Sequence, residues 1–118
     1  MNKVNDKFQR KEKTKVRVTQ ENYTFEVLSS NLPVLVEFYA SWCGKCAMMQ
    51  AIVEQIAEEY KGIIKVCQMD IDEVQAIASQ FEVTTVPTFV LFIEGKPVAA
   101  ARGVIRKDRL ETMIEDYR

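Results

Sequence analysis

Cys43 and Cys46, in the run Trp42-Cys43-Gly44-Lys45-Cys46, are the residues whose type and spacing most directly permit chemistry. A Cys-x-x-Cys pair serves metal binding, structural pairing or redox cycling. Metal binding normally draws on a second pair, but the one remaining cysteine, Cys67, stands alone in a sequence with no His. A structural zinc site takes four Cys or His ligands, so a self-contained one is not expected, and a metal reading would need two copies to share their pairs. The absence of His also excludes triads of the Ser/His/Asp and Cys/His kinds. Redox cycling is the reading that fits best.

The position of the pair supports that chemistry. Val34-Leu35-Val36-Glu37-Phe38-Tyr39, just before it, is a nearly continuous apolar run of the kind found in strands buried on both faces. After it, Met49, Ile52, Val53, Ile56 and Tyr60 repeat at helical spacing and Lys61-Gly62 supplies a stop. The pair therefore sits where a strand hands over to a helix. A thiol at a helix amino terminus meets unpaired N–H groups and the positive end of the helix dipole, which favour a thiolate. Cys43 is the candidate nucleophile, and Cys46, one turn on, is close enough to resolve it through a small-ring disulfide. Gly44 permits a tight turn, and Lys45 either adds positive charge beside the thiolate or is an exposed spacer. Cys67, within Val66-Cys67-Gln68-Met69, reads as a small core residue.

The elements that must hold this pair fit one small domain. The chain has 118 residues, 47% hydrophobic and 28% charged, with 4 Gly and 3 Pro, which suits one packed domain and not two. No block of eighteen apolar residues occurs, so no membrane span is expected, and the charged start, Met1-Asn2-Lys3-Val4-Asn5-Asp6-Lys7, lacks the apolar core of a signal peptide. With so few cysteines, a reducing cytoplasm is the expected location. Residues 1–17 hold seven Lys or Arg against Asp6 and Glu12, a surplus of five, and the remainder hold nine against fifteen, a deficit of six. The expected division is a basic mobile arm over 1–13 and a folded domain over 14–118. Such an arm is usually a solvated tail, and no aromatic-studded basic patch points to nucleic acid.

Along the domain, Lys15 to Val18 alternates like an edge strand, and Thr19 is placed to cap a helix carrying Tyr23, Val27 and Phe25 or Leu28. Ile63 to Ile71 reads as a second central strand, and Asp72 as the cap of a short helix with Val74, Ile77, Ala78 and Phe81 on one side. Thr88 to Ile93 and Val98 to Arg102 read as a hairpin around Glu94-Gly95-Lys96. A last helix carries Leu110, Met113, Ile114 and Tyr117, with Asp108 and Glu111 spaced as a capping box.

Val34 to Cys46, followed in order by Thr85-Val86-Pro87-Thr88-Phe89, Glu94-Gly95-Lys96 and Arg102-Gly103, resembles the thioredoxin family over about residues 14–118. The resemblance implies an α/β thioredoxin fold, a central mixed sheet of about five strands flanked by about four helices. It implies a cis Pro87 facing the Cys pair, with the Val86 backbone free to bind an extended client segment. Trp42, Gly44, Lys45, Val86, Pro87 and Gly103 then form the client-binding rim, with Val104 and Ile71 as weaker members. The implied activity is reduction of protein disulfides, with no bound cofactor and a redox-active Cys43-Cys46 disulfide. Electrons would come from a partner reductase using NADPH and flavin, and the chain would act as a monomer on disulfide-containing clients.

Glu37 interrupts its apolar strand at the family's buried carboxylate, usually Asp, behind the second Cys. Buried without a cation, its pKa should rise and suit it to accept the Cys46 proton; the alternative is a strand carboxylate reaching solvent. Three departures qualify the resemblance. Lys45 replaces the usual Pro between the cysteines, which predicts a potential less reducing than the Pro form on a scale running from about −270 to −120 mV. Ala51 replaces a helix-kinking Pro and predicts a straighter helix, and Gln68 replaces a frequent Lys near the carboxylate, which should raise its pKa further. Rival readings are a disulfide isomerase, a reductant for one client, or a redox-sensing binding module whose basic arm recruits a partner.

Overall fold

The computed structural model describes residues 14–118; the expected arm over 1–13 lies outside them. Five strands form one sheet: β1 (Lys15–Arg17), β2 (Val34–Tyr39), β3 (Lys65–Asp70), β4 (Thr88–Ile93) and β5 (Lys96–Arg102). Their order is β1-β3-β2-β4-β5. β3 runs parallel to both β1 and β2, whereas β2–β4 and β4–β5 are antiparallel, so the sheet is mixed as expected. The helices are α1 (Gly44–Glu59), α2 (Gln75–Gln80) and α3 (Lys107–Tyr117), joined by a five-residue π-helical segment, Thr24–Leu28. Among the described residues this makes three α-helices and one π-helical segment, against about four helices expected.

Side chains alternate along each strand, so β2 faces two different cores. Val34, Val36 and Phe38 pack with Cys67, Met69, Val27 and Ile77 beneath the π-helical segment and α2. Leu35 packs with Val66, Phe89 and Leu91 beneath Met49, Val53 and Ile56 of α1 and Leu110 and Ile114 of α3. Glu37 shares the parity of Leu35 and so points to the α1 side, while Cys67 points to the other. Burial on both faces explains why β2 and β4 read as unbroken apolar runs.

Several local expectations are corrected. Thr19 caps nothing: its N–H donates to Asn22 Oδ1 at 2.7 Å, and Asn22 Nδ2 donates to the Arg17 carbonyl at 3.1 Å. The following segment is pinned to the sheet by Lys65, whose Nζ donates to the Glu26 carbonyl at 2.9 Å and to Glu26 Oε1 at 3.0 Å. Phe25 is 73% exposed and so is no part of the apolar side. Asp72 does not cap α2, whose N-cap is Val74, because its carboxylate is engaged elsewhere. α3 starts at Lys107, so Asp108 is already inside its first turn, paired with Arg106, and no capping box forms. β3 is shorter than expected because Ile63 is exposed in a turn, whereas β5 begins earlier, at Lys96. Glu94 and Gly95 have φ of 51° and 78°, the two left-handed residues that a tight hairpin turn needs to match strand twist.

Candidate active site

Cys43 is the N-cap of α1, and its Sγ accepts a hydrogen bond from the Cys46 backbone N–H at 3.1 Å. The sulfur thus takes the place of the side-chain oxygen that usually satisfies a free N–H at a helix start. Its own S–H donates to the Val86 carbonyl at 3.5 Å. All three cysteines are free thiols. In this dithiol state the Val86 backbone is therefore engaged by Cys43 at its carbonyl, not wholly free as the resemblance implies. The Val86-Pro87 peptide is cis, as the resemblance implies, and Pro87 is buried.

Cys46 is 2% exposed, while Cys43 is half-buried. Burial pushes the Cys46 thiol up to about 12, helped by its hydrogen bond with Cys43; a backbone contact at Ala40 acts the other way, and the charges of Cys43 and Glu37 add to the rise. Cys46 thus needs help to lose its proton. Glu37 is 1% exposed, which removes the reading of a solvent-reaching carboxylate. Burial raises its pKa above the usual carboxylate range, against the lowering effects of a Gln68 hydrogen bond and the Lys15 charge. Gln68 Nε2 donates to Glu37 Oε1 at 2.8 Å across the β2–β3 register. The protein thus brings a buried thiol and a carboxylate whose ionisation is suppressed to the same side of the sheet.

Trp42 is 68% exposed, and its Nε1 donates to Asp72 Oδ2 at 3.0 Å. That bond explains both the missing α2 cap and the fixed position of an exposed indole beside Cys43. Gly44 and Lys45 are exposed on the first turn of α1. Gly103, with φ of 85°, donates its N–H to the Pro87 carbonyl at 2.8 Å and so ties the end of β5 to the cis-proline turn. Val104 is 49% exposed beside it. Half-buried Ile71 lines a groove of about 590 Å³ with Asp72, Val83 and Thr84, continuous in sequence with the Val86-Pro87 turn. Asp72 and the Lys15 charge on Glu37 were not legible beforehand, because both depend on pairing between distant segments. Cys67 is fully buried among apolar residues of the opposite face, as the sequence suggests.

The thioredoxin family model matches residues 14–116. A thioredoxin of Pyropia yezoensis is 38% identical over 101 residues, covering 86% of this chain and 94% of that protein. A thioredoxin of Rickettsia felis is 42% identical over 93 residues, covering 79% of this chain and 89% of its own. A bifunctional thioredoxin reductase/thioredoxin of Mycobacterium leprae is 39% identical over 101 residues, covering 86% of this chain and 22% of that longer protein. A five-stranded mixed sheet, a dithiol at the start of its long helix and matches of this extent agree with one another, and the chain belongs to the thioredoxin family of thiol-disulfide oxidoreductases.

Proposed function

We propose that the chain reduces protein disulfides with Cys43 as nucleophile and Cys46 as resolving thiol. The observation that carries this assignment is the contrast between a half-buried Cys43 at the helix start and a buried Cys46 behind it. Cys43 attacks a client disulfide to give a mixed disulfide. Cys46 then passes its proton to the Glu37 carboxylate and attacks the Cys43 sulfur, which forms the Cys43-Cys46 bond and releases the client thiolate. Trp42, Gly44, Lys45, Val86, Pro87 and Gly103 form the rim on which the client lies, with Val104 and Ile71 at its margins.

A reductase restores the dithiol, and the Mycobacterium leprae relative, named as a reductase and thioredoxin in one chain, supports that pairing. No helix among the described residues is long and apolar enough to cross a membrane. We place the chain in a reducing cytoplasm as a monomer, in keeping with a sequence that holds only three cysteines. The test is turnover of a model disulfide protein with dithiothreitol as electron source. Wild type is expected to be active and Cys43→Ser inactive; an inactive wild type, or an active Cys43→Ser variant, refutes the assignment. Measuring the reduction potential against glutathione separates a general reductant from an isomerase.

A further inference from the structure

Among the described residues, Glu37 Oε2 is the one buried side-chain nitrogen or oxygen with no hydrogen-bond partner. Its sister atom Oε1 is held by Gln68 Nε2 at 2.8 Å. Such asymmetry is costly for a carboxylate whose only role is structural, since an unsatisfied buried acceptor costs about 1–3 kcal/mol. It suits a carboxylate that keeps one oxygen open for a proton.

Two neighbours set this arrangement. The parallel registers place Lys15 opposite Val66, and Glu37 opposite Gln68. By strand alternation all four lie on the α1 side of the sheet. Lys15 is half-buried, and its Nζ donates to Gln50 Oε1 at 3.2 Å, which draws the side chain from the sheet edge toward α1. Gln50 lies one helical turn beyond Cys46. Other groups around the carboxylate are Cys46 from α1, Tyr39 on β2 itself, and the neutral Phe89 from β4. Asp70 lies opposite Tyr39, and Arg17, opposite Gln68 on β1, is engaged by Glu73. Lys15 is the one cation whose charge acts to lower the Glu37 pKa, a smaller influence than burial or the Gln68 hydrogen bond.

We propose that Gln68 and Lys15 are positioning residues for proton transfer: Gln68 pins one oxygen of Glu37 and leaves Oε2 as the acceptor for the Cys46 proton, while Lys15, steadied by Gln50, supplies the positive charge that keeps Glu37 competent as a base. This rests on Glu37 being that base. In the step concerned, the Cys46 S–H proton moves to Oε2, the Cys46 sulfur bonds to the Cys43 sulfur, and the bond from Cys43 to the client sulfur breaks. The client sulfur leaves with the electron pair as a thiolate. One disulfide replaces another, so no external oxidant or reductant is needed.

The experiment follows the second of the two thiolate releases when the reduced full chain reacts with an aromatic disulfide, as a function of pH. Lys15→Met is expected to slow this resolution at pH 7 by about two- to fivefold, the worth of a partly exposed charge pair, and to displace its pH profile upward, while Lys15→Arg restores both. Gln68→Leu should also displace the profile upward and slow the step by about tenfold, as expected for losing a hydrogen bond to a charged group. The first release, by Cys43, should be unchanged in each. If Glu37→Gln abolishes the inflection while Lys15→Met leaves the profile in place, Glu37 is the base and the positioning proposal is wrong. If Glu37→Gln itself leaves the inflection, the reading of Glu37 fails and the proposal fails with it. Lys15 sits at the sheet edge, so its variants decide the matter even if Gln68→Leu does not fold.

Discussion

Burial separates the two active-site sulfurs in reactivity although only two residues lie between them. With its pKa pushed up to about 12, Cys46 stays a neutral thiol through the physiological range, and only the thiolate is nucleophilic. Alkylation of the reduced protein at neutral pH should therefore modify Cys43 alone, as mapped by peptide mass spectrometry; equal labelling of both sulfurs would count against the geometry. A Cys46→Ser variant should accumulate mixed disulfides through Cys43, detectable as client adducts on non-reducing gels. Glu37 carries a different consequence. Its pKa is raised in the fold, so native stability is greatest below the ordinary carboxylate value and falls as pH rises through that value toward the folded one. Glu37→Leu should then stabilise the domain by about 1–3 kcal/mol at neutral pH, with the gain vanishing in acid; denaturant melts at the two pH values measure it.

At the scale of elements, the strands and long helices were legible because their signals are local. β2 and β4 announced themselves by unbroken apolar runs, and α1 by helical spacing from Met49 to Tyr60. Helix starts were less legible. The carboxylates of Asp72 and Asp108 had the right type for caps, but a tertiary bond to Trp42 and an ion pair with Arg106 took them. α1 runs unbroken from Gly44 to Glu59 through Ala51, as expected where no Pro removes an internal hydrogen bond. The β4–β5 turn rests on Gly95, where φ is 78° and an added Cβ would lie 2.6 Å from the Leu28 carbonyl oxygen. Gly95→Val combines left-handed strain with a collision against fixed backbone and should cost more than about 2 kcal/mol. A urea midpoint equal to that of wild type would show that the turn shifts freely.

For the whole molecule, the fold was readable because one sheet with a core on each face takes up most apolar positions among the described residues, with Phe25, Trp42 and Met48 among the exposed exceptions. The site was readable in part: the cysteines, Glu37 and Pro87 lie in continuous motifs, whereas Asp72, Lys15 and Gln50 join them only through long-range contacts. Removing residues 1–13 should leave disulfide turnover unchanged, because Cys43, Cys46 and Glu37 all lie among the described residues; loss of turnover would instead favour a recruiting role for the basic arm. The two cores also divide the thiols, with Cys67 fully buried on the face away from α1 and its thiol pushed up to about 12 by burial. Once Cys43 and Cys46 are closed into a disulfide, Cys67 is the sole thiol left, and reagents reach it only when the domain opens. Its labelling rate is therefore an internal gauge of opening frequency, and comparing that rate between the oxidised protein and a Cys43→Ser/Cys46→Ser double variant would measure how much the Cys43-Cys46 disulfide steadies the protein that carries it.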